Sequence, residues 1–331
     1  MRPFILVFLI ALTITAFSTP WIRRLAIAIG FVDAPAARKM HSAPMPLMGG
    51  VAIFAGAIIA VLFFFRQEIP RPIVGALIAG TLVATIGLID DRYHVPPWLR
   101  LGIHFIAFLI LAYFGVRVRL PIPEWANYAL TFLWLVGITN AINLLDNMDG
   151  LSAGVVAVAA AFMMLLGAAN GQNLTSALSA AILGSCAGFL RYNFRPARIF
   201  MGDAGAYFLG FWLAVLGIQL RFPDNVSFVT WMVPVCILGL PIFDTSLVVL
   251  SRLRRGIHPF TAGKDHTSHR LVQLGYSQRE AVLILYLVAG MFGMVGLFIT
   301  QADVVEGYFI GIVVFAVCAY AMWQLERHHR A

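Results

Sequence analysis

The chain has 331 residues, 61% hydrophobic and only 11% charged, with a mean hydropathy of +0.88. A soluble domain carries about 25% charged residues, so polar groups cannot cover this surface and lipid must be the solvent for most of its length. The net charge of +8 raises nucleic acid as a partner, but the basic residues sit in short loops between apolar runs and form no basic domain, which excludes that class.

A membrane-spanning helix needs about 20 mainly apolar residues. The sequence predicts eleven: Pro3–Ile22, Leu47–Phe65, Pro72–Ile89, Leu99–Val116, Tyr128–Leu145, Leu151–Ala168, Thr175–Leu190, Ala204–Leu220, Phe228–Leu250, Ala281–Thr300 and Gly307–Trp323. The first lacks a small-residue cleavage signal and is expected to be retained. Cys186, Cys236 and Cys318 lie inside apolar runs without metal spacing, so they read as small hydrophobes. The expectation is an all-α polytopic membrane protein, one domain over residues 1–331.

Loop charge sets its orientation. Of the 23 Lys and Arg residues, 17 fall in one set of loops. That set is predicted to be cytoplasmic, with the N-terminus outside and the C-terminus inside. The polar residues between spans crowd the same side, so the active face is expected there, at the inner (plasma) membrane. The outer loops are short connectors.

Five polar constellations lie on that side. The first is Arg38, Lys39 and His41, followed by Pro44, Pro46, Gly49 and Gly50. The basic pair suits either a positive-inside anchor or an anionic substrate. The second is Asp90 and Asp91, closing an apolar helix. Carboxylates are costly in hydrocarbon, and hard cations take carboxylate oxygens together with substrate phosphates. Arg100 follows, suited to a diphosphate.

The third is Asn140, Asn143, Asp146 and Asp149, then Gly150. A three-residue spacing drifts about 60° per step on an ideal helix, so a continuous helix would turn one end of the row to lipid. The helix is expected to end or unwind near 147–150. The fourth is Asn193, Pro196, Arg198 and Phe200, then Gly202, Asp203 and Gly205. Asp203 reads as an N-cap of the eighth helix, at a terminus that also attracts phosphate, and Phe200 suits either base stacking or the core. The fifth is Arg252, Arg254, Arg255 and His258, then Lys264, His266, His269 and Arg270, cations that suit a polyanion.

These segments, in this order, resemble the polyprenyl-phosphate N-acetylhexosamine-1-phosphate transferase family. The likeness runs from Arg38 to Arg270. The acidic pair matches Asp90 and Asp91. The Asn-rich acidic motif matches Asn140, Asn143, Asp146, Asp149 and Gly150. The Phe-Met-Gly-Asp motif matches Phe200 to Asp203, and the last loop matches Pro259, Phe260, His266, His269 and Arg270. The chain departs from the family at Ser268, where a histidine is common, and at His94, Asn147 and Ala206. The short loop after His41 and the lack of three consecutive histidines in the last loop favour the N-acetylglucosamine-1-phosphate transferase branch over the phospho-N-acetylmuramoyl-pentapeptide transferase branch.

The resemblance implies transfer of an N-acetylhexosamine 1-phosphate, GlcNAc-1-phosphate first, from a UDP-sugar to undecaprenyl or another polyprenyl phosphate, with release of UMP. It implies Mg²⁺, with Mn²⁺ as the alternative, held by Asp203 with Asp90 and Asn143, and Phe200 near the uracil. The reaction itself is expected to depend on Asp90, Asp91, Asp146, Asp149, His266 and His269. Substrate binding is assigned to Arg38, Lys39, His41, Arg100, Asn140, Asn143, Asn193, Phe200, Arg252, Arg255, Lys264 and Arg270. A homodimer in membrane lipid is the expected assembly. The rival class, a secondary transporter, places ionisable residues near mid-membrane. Here they cluster at one face, Asp244 being the main exception.

Overall fold

The computed structural model describes residues 2–33, 44–223, 225–258, 261 and 263–330. Among these the only strands are β1 (Val32–Asp33) and β2 (Met45–Pro46), paired antiparallel with Val32 opposite Pro46. The remaining regular structure among the described residues is helical, as lipid demands: without water, each N–H and C=O must be satisfied within its own segment. The chain divides into two compact units, Met1–Leu220 and Arg221–Ala331.

The first unit holds α1 (Arg2–Ala28), α2 (Gly49–Phe64), α3 (Arg71–Tyr93), α4 (Pro97–Tyr113), α5 (Glu124–Leu145), α6 (Leu151–Ala169), α7 (Asn173–Asn193) and α8 (Gly202–Gln219). Prolines open α3 and α4, where a missing N–H breaks no helical bond. The expected break near 147–150 is present: α5 stops at Leu145, and Gly150 takes a left-handed φ of 78° before α6.

Helix α8 is the core of this unit. Every residue from Ala204 to Ile218 is buried, the pattern of a helix surrounded by others. Small residues bring its neighbours to backbone contact. A Cβ at Gly87 of α3 would lie 2.6 Å from the Asp203 carbonyl oxygen and 2.7 Å from the Ala204 Cα. Gly50 of α2 abuts Gly205, and Gly210 abuts Thr139 of α5. Gly184 and Gly188 of α7 likewise admit the α1 backbone at Phe8 and Leu12, the close approach that membrane helices use in place of a hydrophobic driving force.

The second unit holds α9 (Ser227–Thr230), α10 (Met232–Ile237), α11 (Gly239–Arg254), α12 (Thr267–Gln273), α13 (Gln278–Ile299) and α14 (Val304–Arg330). The predicted span Phe228–Leu250 is therefore not one helix but three pieces. Pro234 and Pro241 each remove a backbone donor, and the ladder breaks at Trp231 and Leu238. Helix α10 packs on α13, where Gly296 comes close to Ile237. Ser277 and Glu280 form a reciprocal cap on α13.

Among the described residues, seven helices are long and apolar enough to cross a membrane: α1, α3, α5, α6, α7, α13 and residues Val304–Arg327 of α14. Helices α2 and α4 are apolar but shorter. The chain is an all-α polytopic membrane protein.

Candidate active site

Three elements of the first unit bring carboxylates together. The last turns of α3 carry Asp90 and Asp91, the end of α5 carries Asn143 and Asp146, and the first turn of α8 carries Asp203. The contact of Gly87 with Ala204 fixes the spacing of the first and third.

Asp91 accepts from the backbone N–H of Asp203 at 2.8 Å and of Ala204 at 3.2 Å. Asp91, not Asp203, thus caps α8; the residue at the N-cap position is Met201, which makes no side-chain cap. This corrects the sequence expectation. The reason is geometric: Gly202, at φ 73°, turns the chain so that its N-terminal amides meet the end of α3. A Cβ on Gly202 would sit 2.5 Å from an Asp91 oxygen.

Asp90 is buried, 6% exposed, and fully engaged. Its Oδ1 accepts from the Val95 N–H at 2.7 Å. Its Oδ2 accepts from Arg100 at 2.9 Å and from the Tyr207 hydroxyl at 3.3 Å. Arg100 also donates to Tyr207 at 2.9 Å. Asn143 donates to Asp203 Oδ1 at 2.6 Å, and the Asp203 carboxyl lies within hydrogen-bond reach of Asp90. Asp146 follows the last residue of α5. Burial, then the charges of Asp203, Asp91 and Asp149, push its carboxyl up to about 8. One guanidinium, Arg100, therefore faces several carboxyl groups, a negative surplus that a cation would relieve.

Among the described residues no three His, Cys, Asp or Glu side chains already surround a metal position. The donors nevertheless fit Mg²⁺, which takes oxygen ligands and is commonly held by one or two carboxylates with water and substrate phosphates. Asp203 supplies a carboxylate. Asn143 gives its N–H to that carboxylate, which leaves its amide oxygen as a second donor.

Asp149 and Asn193 are close by but serve the backbone. Asp149 accepts from Ala197 N–H at 3.1 Å, with Arg195 at 3.8 Å. Asn193 is buried; it accepts from Gly150 N–H at 3.0 Å and donates to the Ile199 carbonyl at 3.0 Å. It joins the 147–150 break to the loop before α8. Asn140 donates to Val136 of its own helix. Phe200 is anchored by its backbone, to Pro46 and Gly49. Arg38, Lys39 and His41, and Pro259 and Phe260 of the last loop, lie outside the described residues.

The second unit has its own polar cluster. Arg252, 2% exposed, grips Asp265 with two hydrogen bonds at 2.8 and 2.7 Å, and Arg255 adds one at 2.9 Å. Arg270, also 2% exposed, bonds the Asp265 and Leu325 carbonyls, Ser251 and Glu326. Read from sequence as phosphate-binding cations, Arg252 and Arg270 are instead committed within the fold, because buried charge must be paired. Lys264 is exposed. Burial pushes the Asp265 carboxyl up, but the hydrogen bonds and charge of Arg252 outweigh it and hold it at about 2. His266 meets Asp244 at 2.8 Å through Nδ1. His269 is packed 6.0 Å from it, ring centre to ring centre. Burial, then the positive charges of His266 and Lys264, push His269 down to about 4.

Sequence reasoning did not find Tyr207, Asp265 or Glu326. Tyr207 left a usable signal: it stands four residues after Asp203, on the same face of a helix. Asp265 and Glu326 left none, since a pairing partner 13 or 56 residues away has no local pattern.

Residues 73–221 match the profile of Glycosyl transferase family 4. A probable undecaprenyl-phosphate N-acetylglucosaminyl 1-phosphate transferase of Bacillus subtilis (strain 168) is 34% identical, over 92% of this chain and 87% of its own. A decaprenyl-phosphate N-acetylglucosaminephosphotransferase of Mycolicibacterium smegmatis is 33% identical over 88% and 80%. An undecaprenyl-phosphate alpha-N-acetylglucosaminyl 1-phosphate transferase of Escherichia coli (strain K12) is 25% identical over 92% and 88%.

Proposed function

The chain belongs to glycosyl transferase family 4, and from that premise we propose that it moves GlcNAc-1-phosphate from UDP-GlcNAc to undecaprenyl phosphate, releasing UMP. The carrying observation is the convergence of Asp90, Asp91, Asp146 and Asp203 with Asn143 at the ends of three helices. Relatives named for this transfer support the reading.

In the reaction a phosphate oxygen of the prenyl phosphate attacks the sugar-linked phosphorus, and UMP departs. Charge on the diphosphate is the main obstacle, so positioning and electrostatics do most of the catalysis. Bound Mg²⁺ would supply that neutralisation, held by Asp203 and Asn143. A phosphomonoester has a second pKa near about 6, so the attacking group is already largely dianionic and needs no base. Asp90 is then the anchor for Arg100, which presents a cation to phosphate oxygens. Asp91 fixes the Asp203 backbone. Asp146, which burial and the neighbouring carboxylates hold protonated near neutral pH, would give up its proton as a cation offsets those charges.

The finer topology is part of the proposal: eleven spans, N-terminus outside, C-terminus and acidic cluster on the cytoplasmic side of the plasma membrane. The distribution of Lys and Arg supports it, and the family resemblance supports a homodimer. Other N-acetylhexosamines and prenyl lengths are tested by the same assay.

Purified chain in detergent, given UDP-GlcNAc, undecaprenyl phosphate and Mg²⁺, should release UMP and form a lipid-linked sugar. Asp203→Asn should lower turnover at least about 100-fold, the scale expected when a group aimed at transition-state charge is lost, and raise the Mg²⁺ requirement. Undiminished turnover in a folded Asp203→Asn chain, with the same Mg²⁺ dependence, would remove Asp203 from the metal site. A chain that takes up substrate without releasing UMP would sink the transferase reading.

A further inference from the structure

Three consecutive side chains at the end of α3 hold three different segments. Asp90 takes the Val95 amide and Arg100. Asp91 takes the Asp203 and Ala204 amides of α8. Arg92 reaches the turn that leaves α1. It donates to the Gly30 carbonyl at 3.0 Å, and its guanidinium lies 5.6 Å from the centre of the Phe31 ring. Gly30 takes a φ of 66°, which lets the chain turn out of α1 into β1.

The turn that Arg92 grips begins a backbone ladder that ends at the acidic cluster. The Phe31 carbonyl accepts from the Leu47 N–H at 3.1 Å, beside the β1–β2 pair. The Pro46 carbonyl accepts from the Phe200 N–H at 2.9 Å. The Phe200 carbonyl accepts from the Gly49 N–H at 3.0 Å, and the Met201 carbonyl from the Gly50 N–H at 2.8 Å. Gly202 and Asp203 follow, and the Asp203 amide returns to Asp91. The circuit is closed, because Asp91 and Arg92 are neighbours in α3. Asp91 holds one end of residues 200–203 directly, and Arg92 holds the other through the ladder.

Two further features mark the ladder as tightly constrained. Met48, in its middle, has a φ of 79°. A non-glycine residue in this left-handed region is strained and persists only where its surroundings over-determine it, as at ligand clamps. At Gly49 a Cβ would lie 2.6 Å from the Phe200 carbonyl oxygen, so the two strands admit no side chain there.

We infer that Arg92 is a positioning residue for the nucleotide sugar: by fixing the turn at Gly30 and Phe31 it holds Phe200 and Met201 in place beside the acidic cluster. This rests on the transferase reading above. Asp91 secures residues 203 and 204 on its own, so loss of Arg92 falls on substrate binding and spares the chemical step.

The test compares Arg92→Gln and Arg92→Lys with the unmutated full chain in detergent. Arg92→Gln should raise KM for UDP-GlcNAc about 3- to 10-fold, the scale of one hydrogen bond with an exposed cation–π contact, and leave kcat unchanged. Arg92→Lys keeps a donor and a charge and should recover most of the loss. Amide hydrogen exchange, read without substrate, is the second arm. In Arg92→Gln the amides of residues 47, 49, 50 and 200 should exchange faster, and those of 203 and 204 should not. Unchanged exchange would overturn the inference whatever the kinetics. Faster exchange with an unmoved KM would overturn it too, as would a fall in kcat alone. UMP release by the unmutated chain decides the transferase reading separately.

Discussion

At the end of α3, the side chain of Tyr207 closes a triangle with Asp90 and Arg100. Its hydroxyl is shared by a carboxylate and a guanidinium, and bonds to charged groups contribute about 1.5–3 kcal/mol. Tyr207→Phe removes one atom and leaves the ring in place. It should lower kcat/KM about 10- to 100-fold, the same energy expressed as a rate, and lower the melting temperature by a few degrees. Wild-type kinetics in this variant would show that Arg100 needs no such tether.

His269 carries a pH prediction. Its ordinary value is 6.5, and in the folded chain it is pushed down to about 4. As pH falls, the unfolded chain takes the proton first. The stability associated with neutral His269 is intact above about 6.5 and is lost progressively toward 4. Asp265, held at about 2 against an ordinary 3.8, loses its contribution only in a lower window. Melting temperature should therefore drop between pH 7 and 5, and His269→Gln should flatten that drop. An unchanged slope would sink the assignment.

Much of the site was legible at this scale because carboxylates in apolar runs are expensive. Asp90, Asp91, Asp146 and Asp203 all stood out and all converge. The cations were less legible. Arg252 and Arg270 look like phosphate ligands until their partners are seen, and a count of charges cannot show which are already spent.

Between elements, spacing is set by glycine. Gly87 lets α3 lie against α8 closely enough for Asp91 to reach the amides of residues 203 and 204. Gly87→Ala would drive a methyl group into the Asp203 carbonyl. Overpacking of this kind costs about 1–3 kcal/mol. Because the displaced pair carries the acidic cluster, activity should fall more steeply than stability. A melting temperature lowered by a few degrees, with near-complete loss of UMP release, is the expected result. Full activity would mean that the two helices can part without consequence. The break after α5 was legible as polar residues that no single helix face could accommodate. The break at Trp231 and Leu238 was signalled by Pro234 and Pro241, yet hydropathy alone ran straight through it.

For the whole molecule, composition was enough to give an all-helical membrane protein, since lipid leaves the backbone few choices. The number of crossings is harder to read, because α2, α4 and the segmented α9–α11 stretch are short or interrupted. Orientation is open to direct measurement. In a chain with Cys186, Cys236 and Cys318 replaced, His94→Cys should react with an impermeant maleimide only from the cytoplasmic side, and Gly171→Cys only from outside. Labelling of both from one side would overturn the proposed topology.

The cap that Asp91 places on α8 has a consequence for how a nucleotide sugar reaches the acidic cluster. A bare helix start is welcoming to phosphate, but here the Asp91 carboxyl already occupies those amides, beside the other carboxyl groups of the cluster. An uncompensated diphosphate meets repulsion at the threshold, whereas the same molecule escorted by a divalent ion arrives nearly neutral. Nucleotide affinity should accordingly collapse when the escort is chelated, well before any bond is broken.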